Sequence, residues 1–300
     1  MGPFLFNLFI NDIVNLPLCK KILFSDDTVL YVSASSFDEC LTSVTQVINS
    51  LKAWLKVNKL LINIDKSKLM LITSKMHPDL PPVYFDNQPI EWVRCIKYLG
   101  VFIDDRFSFN LQVASVCTKL SKFKGLTYSL QSIIPQCILI RIFYALIYPV
   151  LTNNIVLWGG LNGTNCNRIQ ILLNKILRNI LGVKYDANNI PLMPTNSMYK
   201  QLRILKFRDI HRYFLLKFFH FIYYERFDIF IKNFETLLPQ NNYVTRNSRI
   251  NHPYVRTNSE KHFTIYQVCK LIRELPENMI QPQSYYVLKK NFKKYALSSY

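Results

Sequence analysis

The apolar pattern of this chain changes period once, near residue 105, and that change sets what it can fold into. Ahead of it, apolar and β-branched residues come in short runs broken by turn residues. "KKILF" and "TVLYVS" flank Ser25, Asp26 and Asp27; "LLINI" and "KLMLIT" flank residues 65–67; "PVYFDNQPIEWV" and "IKYLGVFID" follow. Such runs predict strands and hairpins. Behind residue 105, apolar residues recur every three or four positions, which predicts helices over 108–131, 136–150, 165–181 and 196–224, then 264–274 and 282–297. Two helices interrupt the front. Pro3 opens "FLFNLFINDI", apolar on nearly every face and so read as a buried helix. Ser36 and Glu39 have capping-box spacing ahead of Leu41, Val44, Ile48, Leu51 and Leu55. The expected fold class is α+β: an antiparallel sheet with packed helices over 1–105, an all-helical domain over 106–183, and a basic helical region over 184–300 entered through the Asn- and Pro-rich stretch 184–198.

Charge divides the same way. The net charge is +18, but residues 1–100 hold only +1 of it and the remaining two-thirds +17. An excess of that size points to a polyanionic partner. Lys119, Lys122 and Lys124 lie on one predicted helix, Arg168, Lys175 and Arg178 on another, and Lys289, Lys290, Lys293 and Lys294 close the chain. Phe123, Tyr128, Phe292 and Tyr295 are interleaved with them and are read individually as core. The polar, basic stretch 240–261 reads as a loop. The seven cysteines show no C-x-x-C spacing, and His211, His220, His252 and His262 show no ligand spacing with them, so the expectation is free thiols and no zinc site. The apolar run 137–151 carries Arg141 and ends at Pro149, too short to span a bilayer. With no basic leader ahead of an apolar run, the reading is an intracellular protein, of nucleus or cytoplasm, that is neither secreted nor transmembrane.

In the near-neutral front, "LFSDDTVL" sets two like charges side by side at a predicted hairpin tip. Adjacent carboxylates repel unless a cation compensates, and hard divalent ions take one or two carboxylates together with substrate phosphates. Asp is also an ordinary turn residue, because it hydrogen-bonds nearby backbone. The sequence alone leaves both roles open.

Several motifs, taken in order, resemble the reverse transcriptases of non-LTR (LINE-type) retrotransposons. "GPFLFNLFINDI" (2–13) resembles part of the polymerase helix that contacts template and incoming nucleotide, and "FSDD" (24–27) the aromatic-x-Asp-Asp catalytic turn. "LLINIDKSKLMLI" (60–72) resembles the N-x-x-K-[ST] segment, and "IKYLGVFIDDRFSF" (96–109) the primer-grip hairpin. The 119–160 region, ending in "LWGG", looks like the family's thumb segment, and 251–297 like the tail of such reading frames.

The resemblance implies a partial polymerase palm, a thumb and a C-terminal region. Asp26 and Asp27 would hold two Mg²⁺ (or Mn²⁺) ions, with Lys66 near the leaving pyrophosphate. Phe24, Ser25, Asn63, Tyr98, Leu99, Gly100, Lys119, Lys122 and Lys124 would contact primer or template, and Gly2, Pro3, Phe6 and Asn7 the nucleotide and template. The partners would be an RNA template, a DNA primer and dNTPs, with no membrane. The family's third carboxylate and its fingers lie upstream of the helix motif at which these 300 residues start. The expectation is therefore a chain inactive by itself, needing an N-terminal polymerase part. The alternatives are a non-catalytic RNA- or DNA-binding remnant and a basic protein of membrane surfaces.

Overall fold

The computed structural model describes residues 2–73, 75, 79–186, 188, 190–224, 263–281 and 283–300. They form two compact units, Met1–Ile96 and Lys97–Tyr300, and the mixture of helix with small sheets is α+β. The predicted loop 240–261, with His252 and His262, lies outside the described residues.

The first unit opens with α1 (Gly2–Ile10), which a 3-10 turn, Asn11–Asn15, continues. The expectation of a buried helix does not hold. Phe4 is 70% exposed, and Leu5, Phe6, Leu8 and Phe9 are exposed with it; Ile10 is buried. An all-round apolar helix needs neighbours on every side, and the element that meets α1 most among the described residues is the short turn after it. Strands β1 (Lys20–Phe24) and β2 (Asp27–Tyr31) pair antiparallel from Lys20↔Tyr31 to Phe24↔Asp27, as the flanking runs predict. Ile22, Phe24 and Tyr31, on one face of this ribbon, are exposed.

Helix α2 (Phe37–Val57) starts on the predicted capping box: Glu39 N–H donates to Ser36 Oγ at 3.3 Å, and Ser36 N–H to Glu39 Oε2 at 3.3 Å. Its apolar stripe of Leu41, Val44, Ile48, Leu51 and Leu55 packs on Val83, Phe85 and Ile90. Those residues belong to the hairpin of β4 (Val83–Phe85) and β5 (Gln88–Trp92). The two strands expected around residues 65–67 reduce to β3 (Lys68–Leu69), which runs parallel to the end of β5; "LLINI" forms no strand. The chain turns instead through a side-chain-capped loop centred on Asn63.

The second unit takes its topology from a hairpin and a helical body. Strand β6 (Cys95–Tyr98), whose last two residues open the second unit, pairs with β7 (Val101–Asp104). Asp104 then shapes the entry to α3 (Asn110–Leu130). Its carboxylate accepts from the N–H groups of Arg106 (3.1 Å), Ser108 (2.9 Å) and Phe109 (2.7 Å). Helix α3 packs lengthwise on α7 (Gly163–Leu181), and amide hydrogen bonds between the two fix their register. Asn165 Nδ2 donates to Asn110 Oδ1 at 2.8 Å, and Asn179 Nδ2 to Thr127 Oγ1 at 3.1 Å.

Between them run α4 (Gln136–Ile142), a π turn (Phe143–Ile147), α5 (Tyr148–Thr152) and α6 (Ile155–Trp158). Leu139, Phe143, Ile147, Leu151 and Ile155 recur every fourth residue and are all essentially inaccessible. A strict α-helix would rotate such a series by about 40° per step. The wider π turn absorbs part of that drift, and Pro149, which has no N–H to donate, sits just beyond it.

The helix expected over 196–224 is two helices, α8 (Thr195–Leu202) and α9 (Phe207–Tyr224). Arg203 at their junction is left-handed, with φ of 52°. Its N–H closes back on Lys200 and Tyr199 carbonyls, while Ile204 and Phe207 turn inward and are buried. Burial of those two side chains outweighs the preference of arginine for helix. The chain closes with α10 (Thr264–Glu274), one helical turn at Glu277–Ile280, and α11 (Tyr285–Ser298). Val268, Ile272, Leu288 and Phe292 of these helices share a core with Leu216 and Phe219 of α9.

Candidate functional site

The hairpin register places the paired acids. Phe24 faces Asp27 across the ribbon, so the turn is two residues, Ser25 and Asp26, and Asp27 is already the first residue of β2. Ser25 carries the left-handed backbone, φ 55°. A tight hairpin needs that conformation at its first central position when only one of the two is left-handed, and glycine is the usual residue there. Both carboxylates are exposed at the end of the ribbon. The donor set has the hard oxygens that Mg²⁺ prefers, and two carboxylates match the number such ions take when substrate phosphates supply the rest. Among the described residues no group of three or more acidic, His or Cys side chains is gathered as a metal cluster.

The other expected residues fall into three places. Gly2, Phe6 and Asn7 lie on α1, where Phe6 and Asn7 are exposed; Pro3 belongs to the same helix. Asn63 and Lys66 share one turn: Asn63 Oδ1 accepts the Lys66 N–H at 3.1 Å, and the Asn63 carbonyl accepts Ser67 Oγ at 2.8 Å. The N-x-x-K-S spacing is thus the spacing of a self-capped turn. The Lys66 ammonium is exposed, and no ion pair or hydrogen bond among the described residues joins it to Asp26 or Asp27.

Tyr98, Leu99 and Gly100 belong to the second unit, where Leu99 and Gly100 are the two turn residues of β6–β7, with φ of 45° and 84°. Two left-handed residues make the type I′ turn that suits a twisted ribbon. Gly100 is required by this dihedral and not by crowding, since a Cβ there would meet only Asn153 Nδ2, at 3.5 Å. Leucine in the left-handed region is strained, and strain of this kind gathers at functional turns. A Leu99→Asn chain is expected to gain about 1 kcal/mol of unfolding free energy, read from the shift of a urea midpoint. No gain would show that Leu99 is already relaxed.

Lys119 and Lys122 are exposed on α3, three residues apart on one side. Lys124 is half-buried and lies about 140° round the helix, on the side of Cys117. The three lysines therefore share a helix without sharing a face. On α7, Arg168, Lys175 and Arg178 do fall on one side; Arg178 Nη2 reaches Thr195 Oγ1 at 3.4 Å. Of the aromatics between these basic groups, Phe292 is core and Tyr128 is exposed.

The residues that pattern reasoning missed sit in the helical body. Gly159, in the "WGG" stretch, packs so closely on His211 that a Cβ at 159 would overlap the imidazole. His211 Nε2 is buried without a hydrogen-bond partner among the described residues. Burial alone holds its pKa down to about 4. An isolated histidine with no cysteine spacing gives no sign of this in the sequence.

With the geometry in view, the comparisons with known proteins are specific. Residues 1–103, which contain α1, the Asp26–Asp27 hairpin, the Asn63–Lys66 turn and the β6–β7 turn, match the family of reverse transcriptases (RNA-dependent DNA polymerases). The resemblance to LINE-type enzymes holds. Over 200 residues, 64% of this chain and 22% of the relative, it is 26% identical to the probable RNA-directed DNA polymerase from transposon X-element of Drosophila melanogaster. Over 221 residues, 70% of this chain and 23% of the relative, it is 20% identical to the RNA-directed DNA polymerase from mobile element jockey of the same fly. The match thus spans under a quarter of either relative. No solved structure matches. No helix among the described residues is long and apolar enough to cross a membrane.

Proposed function

We propose that the chain is the C-terminal part of a LINE-type reverse transcriptase, carrying the acidic hairpin of the palm (1–105), a thumb (106–183) and a basic C-terminal region (184–300). It would act inside the cell, in nucleus or cytoplasm, on an RNA template and a DNA primer. The observation that carries the reading is the tight hairpin that sets Asp26 in its turn and Asp27 at the head of β2, both at an exposed ribbon end, inside the stretch that matches the polymerase family.

Asp26 and Asp27 are the residues that would hold Mg²⁺ or Mn²⁺. Such ions would activate the primer hydroxyl and stabilise the leaving pyrophosphate of a dNTP. The chain's own groups bind and orient. The turn of β6–β7 positions a primer end through Tyr98, Leu99 and Gly100. Lys66 offers a cation to developing phosphate charge, and Lys119 and Lys122, exposed on one side of α3, meet backbone phosphates, with Lys124 turned away from them. Phosphoryl transfer depends mainly on positioning, so a site with two of the family's three carboxylates is expected to be idle unless the third is supplied by another segment.

The test is primer extension by the 300-residue chain, with Asp26→Asn alongside. The expected result is no extension by either protein. Both should bind primer–template with an affinity that falls roughly 100-fold between 50 and 200 mM salt, as about four phosphate contacts require. Extension by the parent that is lost in Asp26→Asn would refute the idleness and leave a working polymerase. The excess of exposed lysine and arginine in the second unit favours one other reading, a nucleic-acid-binding remnant. It predicts that adding the upstream polymerase segment in trans restores no extension.

A further inference from the structure

Helix α11 has a face the core does not use. Leu288, Phe292 and Ala296 are buried on one side. At 100° per residue, Tyr286, Lys289, Lys290, Lys293 and Lys294 fall within an arc of about 140° on the other. Tyr286 is 78% exposed, the most exposed aromatic among the described residues.

The end of the chain ties this helix to the α8–α9 corner. Tyr300 Oη donates to Asp209 Oδ2 at 2.6 Å and accepts the Lys206 N–H at 2.8 Å; Asn196 Nδ2 donates to the Tyr300 carbonyl at 3.0 Å. Lys206 Nζ lies 4.2 Å from the centre of the Tyr300 ring. Lys293 lies within electrostatic range of Arg203, the left-handed residue that ends α8. Lys293 is half-buried there; its ammonium is held below the usual lysine range by burial first, then by Lys289 and Arg203. None of Arg203, Lys289, Lys290, Lys293 and Lys294 forms an ion pair among the described residues. Like charges gathered without acids between them cost stability, and the cost is recovered only when an anion arrives.

We propose that this face of α11, together with Arg203, binds single-stranded nucleic acid, Tyr286 stacking on an unpaired base while Lys289, Lys293 and Arg203 take backbone phosphates. A ring needs an unstacked base to lie on, which selects single strands over duplex; the combination of ring and basic groups is that of sequence-tolerant strand binding. The surface rests on the reading of the chain as a nucleic-acid protein and adds to it a site separate from the acidic hairpin. Along the helix axis Tyr286 and Lys293 are about 10 Å apart, so a strand can meet both at once.

The test is fluorescence anisotropy of a labelled oligouridylate with the whole 300-residue chain. Tyr286→Ala is expected to weaken binding about tenfold. Lys289→Gln with Lys293→Gln should weaken it similarly and flatten the log–log salt slope by about 1.4. Lys293→Gln alone should melt no lower than the parent, because it relieves repulsion. Parent-like affinity in the α11 variants, with weakened binding in Lys119→Gln/Lys122→Gln, would overturn this surface and keep the nucleic-acid reading. Absence of oligouridylate binding by the parent would overturn both. Lysine variants that lose stability in step with affinity would make the face structural, and binding to anionic vesicles in place of RNA would make it a membrane surface; either result refutes the proposal.

Discussion

A Gly159→Ala chain is expected to unfold with about 3 kcal/mol less free energy than the parent, the upper range for overpacking a core. The added Cβ would lie 2.5 Å from the Ile155 carbonyl oxygen, 2.8 Å from His211 Cγ and closer still to its Cδ2. Neither neighbour can yield cheaply. The carbonyl is backbone and already accepts the Gly159 N–H at 2.7 Å. The imidazole is enclosed by the core, with Trp158 next along the chain stacked on Phe207 at 5.7 Å. Urea unfolding of the parent, Gly159→Ala and Gly159→Ala/His211→Ala would separate the two contacts. Truncating the histidine removes one clash and leaves the carbonyl, so the double variant should recover only part of the loss relative to His211→Ala alone. A single-variant loss under about 1 kcal/mol would show that the segment relaxes around a methyl group.

The same histidine sets the second large effect, on acid stability. Its folded pKa of about 4 lies below the ordinary 6.5, so between those values the unfolded chain binds a proton that the folded chain refuses. Stability attributable to His211 is therefore intact above pH 6.5 and falls as pH drops towards 4. The loss reaches about 3 kcal/mol at the lower end. His220 is displaced the same way by burial, although its hydrogen-bonding contact with the Met279 carbonyl acts against the shift. The comparison that isolates His211 is the difference between parent and His211→Gln in unfolding free energy at pH 7 and pH 4.5. The parent should lose about 2 kcal/mol more than the variant over that interval. Equal losses would mean that water or a rearranged partner satisfies the buried ring.

Local rules carried the parts of this molecule that could be read in advance. Ser36 and Glu39 form their capping box because both partners lie within four residues, and the β1–β2 register follows from two apolar runs and a turn. The place of Asp26 and Asp27 at the hairpin tip was visible for the same reason; their exposure, and that of Ile22 and Phe24 beside them, was not. What was not visible depends on distant packing. "FLFNLFINDI" reads as buried only if neighbours surround it. Arg203 carries no helix-breaking chemistry, yet Ile204 and Phe207 bend the chain there to reach a core assembled from α3, α6 and α7. The partition of Lys119 and Lys122 from Lys124 was within reach: five residues turn a helix by about 140°. Gly159 against His211 pairs residues 52 positions apart and leaves no pattern in either segment.

The wide turn at Phe143–Ile147 has a consequence for how this segment tolerates change in length. Leu139 and Leu151, both inward, are separated by twelve residues, which in an unbroken α-helix would set them about 120° apart; eleven residues would leave them about 20° apart. The π turn therefore stores one surplus residue. Removing a single position from the outward side of that turn, such as Tyr144 or Leu146, should regularise the helix and keep both leucines inward. The same one-residue deletion in α3 or α7 would rotate every following side chain off the core. Within the long helices of this body the π turn is thus a place that takes a change of length, and the direction it can take there is shortening.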